Sequence, residues 1–274
     1  MTETQKIIKY IAIALAALLI VGIVSGIYFA GAAIISIFED DGNEEIGEIE
    51  EMILDEGARP SRLDVEIAAA EVTVKAGDTL KIETNNSRIS CSVKGNTLKI
   101  VEEGHGLFYK GNNKSVLIIT LPEDLIFDEA DIEAGAGRLL IESLSASELS
   151  LDLGAGETVI DSLSVSGETE INAGAGRLKI NSAEIGHIEV NQGVGELDVT
   201  VLVKNGGEFN CGVGSVTINL VGGKDDYSVN VEKGLGEIKI DGESVSNKKD
   251  RIYGTGSSRI EINGGVGAAS ISFN

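Results

Sequence analysis

The chain of 274 residues has no tryptophan, 2 prolines, 2 cysteines and 2 histidines. Two cysteines cannot build a disulfide scaffold or a cysteine-built metal site. The two histidines, His105 and His187, lie far apart in sequence and argue against a multi-histidine metal site. Each flanks a glycine, where a solvated turn histidine is the expectation. The near absence of proline, with no three-residue glycine period, excludes collagen. Basic residues are also short: 22 Lys+Arg stand against 44 Asp+Glu, a net charge of −22. That balance argues against a nucleic-acid partner, whose phosphates need basic patches.

Glycine, by contrast, is abundant. The chain has 35, about 13% and close to twice ordinary usage. Disorder is the usual reading of such an excess, but a chain rich in isoleucine and valine does not fit it. The positions of the glycines therefore carry the information.

Ile7 to Phe38 is an apolar run with one charge, Lys9. It exceeds the roughly 20 residues that span a hydrocarbon core, and Tyr10, Tyr28 and Phe29 suit its interfaces. Lys6 and Lys9 precede the run and acidic residues follow it. The positive-inside rule then places residues 1–6 in the cytoplasm and everything after 38 outside it. A cleaved signal peptide competes, since Ala30-Gly31-Ala32 resembles a cleavage site, but the run continues apolar past it. The expectation is an uncleaved, single-pass transmembrane helix over 7–38 in the cell membrane. No cysteine follows the run, which excludes a lipoprotein-type anchor. Residues 39–58 read as an acidic linker, a solvated spacer. Ile46, Ile49 and Ile53 there also fit a short amphipathic helix, and a cation-binding tail is a sharper alternative. Beyond residue 38 there are 20 basic and 43 acidic residues, so the exported part carries the whole acidic excess.

Residues 59–274 contain an internal repeat. Gly-x-Gly occurs at Gly135 and Gly137, Gly154 and Gly156, Gly174 and Gly176, Gly193 and Gly195, Gly212 and Gly214, Gly234 and Gly236, and Gly265 and Gly267. Successive first glycines are 19, 20, 19, 19, 22 and 31 residues apart. An eighth, degenerate copy at Ile67-Ala68-Ala69-Ala70 has alanines in their place. Apolar residues alternate on each side of the motif, and their parity switches across it, as in Leu151 and Leu153 against Thr158 and Ile160. A strand cannot change faces without an irregular residue, so each motif reads as a structural bend, where glycine tolerates positive φ and close backbone approach. Bends every 19–20 residues predict an all-β fold: a single-stranded parallel β-helix, or solenoid, with rungs stacked at about 4.8 Å. One internal column would run Ile141, Ile160, Ile180, Val199, Ile218, Ile240, Ile271. Two outward columns would run from Glu142 to Ser272 and from Glu133 to Asn263, with asparagines diluting the repulsion between stacked carboxylates. The competing architecture makes each motif a hairpin loop in an antiparallel barrel or sandwich. Residues 85–127 do not repeat and read as longer, less regular coils. Gln192 and Lys233 occupy inward positions before a bend and are expected to open to solvent. Cys91 and Cys211 should lie too far apart to pair.

These features resemble a bacterial family called "putative adhesin", cell-surface proteins of Gly-x-Gly strand repeats. The residues that carry the resemblance are Asp78 to Ile82, the strand Val116 to Leu121 with Pro122, the Gly-x-Gly copies, and the closing Gly265 to Phe273. The resemblance implies a right-handed β-helix, an amino-terminal membrane segment or signal, and no enzymatic residues. It also implies a link to envelope-stress signalling.

No chemistry emerges from the motifs. No copy extends to Gly-x-Gly-x-x-Gly, and each leads into a strand, not a phosphate-binding helix. Only Gly264-Gly265-Val266-Gly267 approaches the calcium β-roll repeat, and it lacks the aspartate. No Ser-His-Asp set is recognisable, and acidic residues are so common that carboxylate pairs arise by chance and do not single out a glycosidase site. The expectation is therefore no catalytic residue, no cofactor and no metal. It is a non-catalytic, adhesin-like binding or scaffold module at the cell envelope, meeting an envelope polymer or protein. One alternative is an accessory protein acting on a membrane-embedded stress-signalling partner; another is a polysaccharide-acting enzyme. The final strand, with nothing after Asn274 to cap it, points to end-to-end self-association.

Overall fold

The computed structural model describes residues 48–54, 57–103, 114–232, 234–245 and 251–274, all within one unit, Gly42–Asn274. The expected transmembrane helix over 7–38, the tail before it, His105 and Lys233 lie outside the described residues. No helix among the described residues is long and apolar enough to cross a membrane.

Every element among the described residues is a strand. In chain order they are β1 (Glu50–Glu51), β2 (Arg62–Gly77), β3 (Lys81–Thr84), β4 (Ile89–Lys94), β5 (Thr97–Glu102), β6 (Val116–Pro122), β7 (Phe127–Val203) and β8 (Gly207–Asn210). The rest are β9 (Val213–Leu220), β10 (Tyr227–Glu232), β11 (Leu235–Ile240), β12 (Glu243–Ser244), β13 (Arg251–Tyr253), β14 (Ser258–Asn263) and β15 (Val266–Phe273). The 77 residues of β7 are extended throughout, yet they fold back on themselves as successive coils. Pairing between coils is parallel, with Leu63 beside Ala130, Val194 beside Val213 and Val213 beside Val266. This excludes hairpins at the Gly-x-Gly copies and gives a stacked solenoid.

Burial shows three sides to each regular coil. Leu139 and Ile141, then Leu144 and Ala146, then Leu149 and Leu151 point inward. The next coil repeats this with Thr158 and Ile160, Leu163 and Val165, Thr169 and Ile171. Parity switches at each corner of the first of these coils, while in the second an extra residue between Val165 and Thr169 keeps it unchanged; only one corner per coil carries Gly-x-Gly. From Leu197 to Val203 the switch disappears and one straight side runs on. The core is aliphatic: Ile141, Ile160, Val199, Ile218 and Ile271 are fully enclosed, each contributing about 1.5–3 kcal/mol by burial.

The order of the rungs departs from the order of the chain. β9 pairs with β15, and β15 pairs with β11; likewise β8 pairs with β14, and β14 with β10. The last coil, 258–273, is thus inserted between 207–220 and 227–240. The internal column runs Ile218, Ile271, Ile240. The final strand is no open edge, because it is paired on both sides. The opposite end has the same device: β2, first of the full rungs in the chain, lies between β7 and the outer rung made by β5 and β6. Each outer rung is closed by antiparallel strands, β4 on β5, β3 on β6, β13 on β10 and β12 on β11. Short antiparallel caps of this kind blunt the exposed edges of a sheet. Residues 85–127 therefore supply an end rung and its cap. In the linker, Glu50–Glu51 is a strand paired with β3 rather than part of a helix, and Ile53 is fully exposed.

Candidate functional site

The bends are stacked backbone on backbone. A Cβ placed on Gly154 would lie 1.9 Å from the Gly135 carbonyl oxygen, and one on Gly156 equally close to that of Gly137. The contact repeats from Gly174 and Gly176 through Gly193, Gly195, Gly212 and Gly214, always against the rung before. It then passes to Gly265 and Gly267, and from them to Gly234 and Gly236. The second glycines Gly137, Gly156, Gly176, Gly195, Gly214 and Gly267 also hold φ between +127 and +145°. The degenerate copy fits the same scheme. Ala68 and Ala70 sit beneath Gly135 and Gly137. The N–H groups of Ala68 and Ala69 donate to Oε2 of Glu102 at 3.0 and 3.1 Å. That carboxylate, almost fully buried, accepts from both.

The side before each bend presents three outward residues per rung. The position two before the first glycine reads, in rung order, Glu66, Glu133, Asp152, Asn172, Asn191, Asn210, Asn263, Glu232. Its amides form a ladder: Asn172 Nδ2 donates to Asp152 Oδ1 at 2.8 Å, Asn191 to Asn172 at 3.0 Å, Asn210 to Asn191 at 2.9 Å and Asn263 to Asn210 at 2.8 Å. The neighbouring position holds Glu170, Glu189, Glu208 and Glu261 on consecutive rungs. The same amides tie down three of these, at 3.0 Å for Glu170, 3.1 Å for Glu189 and 2.7 Å for Glu208. The result is a flat face of fixed carboxylates at the rung spacing, diluted by amides toward one end.

The acidic end of this face has few cations. Lys99 bridges Asp64 at 2.7 Å and also pairs with Glu66, and Arg62 reaches Glu129 at 3.1 Å. Asp131 and Glu133 sit between these pairs and Asp152. Burial, then repulsion from Asp64 and Asp152, lifts the Asp131 carboxyl above its usual range, and burial and Asp131 do the same to Glu133. Oδ1 of Asp131 is buried without a hydrogen-bond partner. A raised folded-state pKa means the folded chain binds more protons than the unfolded one at mildly acidic pH. Stability from these two groups therefore increases as pH falls toward the ordinary carboxylate range. The expected result is a higher melting temperature at about pH 5 than at about pH 7, with a flatter slope in Asp131→Asn. A melting temperature that falls over that interval would contradict this reading of the face.

The side after each bend is electrically balanced. The residue following the second glycine alternates Arg138, Glu157, Arg177, Glu196 on successive rungs, with ion pairs of 3.4 Å between the first two and 2.8 Å between the last two. Exposed pairs of this kind contribute little each. Asn181 donates to Asp161 at 2.7 Å and Ser272 to Asn219 at 2.7 Å in the outward column further along.

Beside the first-glycine column, a groove of about 880 Å³ runs along the stack. Glu66, Glu103, Glu133 and Asp152 line one end, and Asn172, Asn191 and Gln192 the other. Gln192 does not open to solvent: it is 9% exposed, Nε2 donates to the Gly195 carbonyl at 3.1 Å, and Oε1 is buried without a partner. Cys91 and Cys211 are both free, and burial pushes each thiol up to about 11. His187 is exposed at a corner, with Nδ1 3.5 Å from the Asn205 carbonyl. Among the described residues no three potential metal-ligating side chains converge. The arrangement offers fixed charge and hydrogen-bond acceptors, which suit binding.

A family model described as Toastrack DUF4097 matches residues 61–203. That span runs from the start of β2 to the end of β7. No curated protein is a significant match. Solved structures similar to the chain include a "putative adhesin" from Bacteroides fragilis NCTC 9343, at 16% identity over 82% of this chain and 96% of that one, with a TM-score of 0.40. A "putative cell adhesion protein" from Clostridium sporogenes ATCC 15579 is 17% identical over 83% and 99%, with a TM-score of 0.32. A "putative lipid binding protein" from Parabacteroides distasonis ATCC 8503 is 15% identical over 82% and 93%, also at 0.32. Scores at this level do not establish a ligand or a common function.

Proposed function

The chain belongs to the Toastrack DUF4097 family, and from that premise we propose that it is a non-catalytic binding module, held at the cell envelope by residues 7–38. The observation that carries this reading is the face before the bends, where carboxylates and amides are locked in register on a rigid stack. Backbone contacts at every Gly-x-Gly leave the rungs little freedom to shift, so the surface is pre-organised and a ligand bound along it meets little ordering cost. Polar groups that are oriented by one another, with no nucleophile or acid–base pair among them, serve recognition rather than bond cleavage. An amino-terminal anchor would leave this face on the extracytoplasmic side, available to a wall polymer or a neighbouring protein.

Cross-linking the full chain in its own cells tests the proposal. Capture of partners should depend on the 59–274 domain and survive exchange of residues 7–38 for an unrelated membrane span. If exchange of that span abolished capture while changes in the domain did not, the module would instead act through its anchor on a membrane-embedded partner.

A further inference from the structure

We propose that the side after the bends binds a second copy of this chain, antiparallel to the first, about a two-fold axis that passes between the rungs of Glu157 and Arg177. This surface goes beyond the binding-module reading above, which concerns the other side of the bends. Its outward residues are in register from rung to rung. Glu71 lies beside Arg138, and Glu196 beside Ser215. Between them, the Arg138–Glu157 and Arg177–Glu196 ion pairs and the Asn181–Asp161 hydrogen bond align the rungs of β7. The four ladder side chains are between 41% and 53% exposed. Two adjacent rungs on this side have opposite sign. One carries Glu157, Val159 and Asp161 outward, with no basic residue; the next carries Arg177, Lys179 and Asn181, with no acidic one.

Symmetry turns that pattern into a choice of partner and of register. A surface that meets its own copy across a two-fold axis must be complementary to itself. With the axis along the strands and midway between these two rungs, the stacking order reverses while the columns stay aligned. The acidic rung then faces the basic one, twice in each dimer. Glu157 meets Arg177 of the second copy, and Asp161 meets Asn181. One rung further out, Arg138 meets Glu196. Val159 lies against Lys179, whose methylene stem can cover it; Leu140 against Asp198 is the least favourable facing. Centring the axis on either rung instead sets Glu157 or Arg177 against itself. An axis along the stack pairs each rung with its own copy, acidic on acidic and basic on basic. Like-charge facings of this kind count heavily against an arrangement.

The same axis suits the ends of the sheet. Ten strands lie side by side here: β3, β6, the second half of β2, four passes of β7, then β9, β15 and β11. Their midpoint is the interval between Glu157 and Arg177, so the axis lays the whole sheet of one copy on the whole sheet of the other. β6 then faces β15, where Ile118 and Thr120 meet Ser270 and Ser272 and no charge is involved. β3 faces β11, where the columns bring Glu83 to Lys239 and Lys81 to Asp241. No directly facing pair on the ten strands has like charge. The strands span about 43 Å along the stack, and the outward columns about 13 Å across it. With side-chain width added, the footprint approaches the roughly 800 Å² per partner of a standard interface.

Sedimentation equilibrium of the full chain in density-matched neutral micelles, at physiological ionic strength, tests the assignment. A reversible dimer is expected. Arg138→Glu and Glu196→Arg should each weaken it by about tenfold or more, since each sets like charges face to face twice per dimer. The double variant Arg138→Glu, Glu196→Arg should return to within about threefold of the parent. Within one copy these two positions are three rungs, about 14 Å, apart, beyond the screening length of about 8 Å, so that rescue requires a second copy. The double variant Arg138→Glu, Glu157→Arg restores the ion pair inside the copy but sets like against like across the axis, and should dimerise no better than Arg138→Glu alone. Equal affinity of the two double variants would overturn the assignment. So would the absence of a dimer, or a dimer that none of these changes weakens, which would place the contact elsewhere in the chain. None of these failures touches the domain-dependent capture of partners in cells, which stands or falls on its own experiment.

Discussion

Gly195→Ala is expected to cost about 4 kcal/mol or more, at the far end of what single substitutions do. The added Cβ would lie 1.8 Å from the carbonyl oxygen of Gly176 and within 3.0 Å of that residue's carbonyl carbon and amide nitrogen. These are backbone atoms of the adjoining rung, held by pairing on both sides, so no side chain can swing away. The position also has φ of +136°, where an L side chain is strained even without a neighbour. Relief would require the rungs to separate, which breaks the parallel pairing that defines the stack. Against a total stability of about 5–15 kcal/mol for a domain, one such change removes much of the margin. Gly223→Ala is the control. It lies in the turn after β9, where a Cβ would meet nothing closer than 3.6 Å, and should shift stability by no more than about 0.5 kcal/mol. Chemical denaturation of the two variants beside the parent checks the pair. Parent-like stability in Gly195→Ala would mean that the bends are not in contact.

The same geometry explains why the glycine repeat was readable and why the ends were not. A glycine is required wherever a bend rests on another bend, so every stacked copy after the first carries the mark, and the first carries alanine. The period and the parity switch come from within one coil, and the sequence shows both. Two further corners, after Ile141 and after Ala146, show in the same parity but carry no glycine pair to mark them. The asparagine column from Asn172 to Asn263 was likewise legible, because it follows once the copies are superposed. Stacking order is different in kind. It concerns which coil lies on which, and neither alternation nor spacing records it. The interval of 31 residues before Gly265 did signal extra chain, and that chain supplies β12 and β13, the caps of the outer rung 227–240, while the interval of 22 before Gly234 holds the connection between β9 and β10. Glu102 gave no signal at all. One glutamate in an acidic chain becomes structural only through its place in the stack, where it accepts from the Ala68 and Ala69 N–H groups. Gln192 was recognised as a break in the inward pattern, but its burial depends on a hydrogen bond to Gly195 within the same bend, which the alternation does not report.

Removal of residues 258–274 should have an effect as large as the glycine substitution, but confined to one end. β14 and β15 are the layer between the body of the stack and the outer rung. Ile260, Ile262 and Ile271 are fully buried. Without them, β10 and β11 lose their parallel partners and keep only the short caps β13 and β12, of three and two residues. Two-stranded pairs of that size are not stable alone in water. A gap one strand wide also cannot be closed by simple collapse, because Gly234 and Gly236 rest on Gly265 and Gly267 while the chain between Leu220 and Tyr227 is fitted to the wider spacing. Residues 227–240 should therefore unfold, and the regular coils of β7 should keep their pairing.

Hydrogen exchange read by mass spectrometry on the chain ending at residue 257 measures this directly. The order of rungs described here predicts rapid exchange throughout 227–240, with protection retained across 158–180. A stack in chain order, with 258–273 as its outermost coil, predicts that 227–240 stays as protected as in the full chain, and that result would contradict the account.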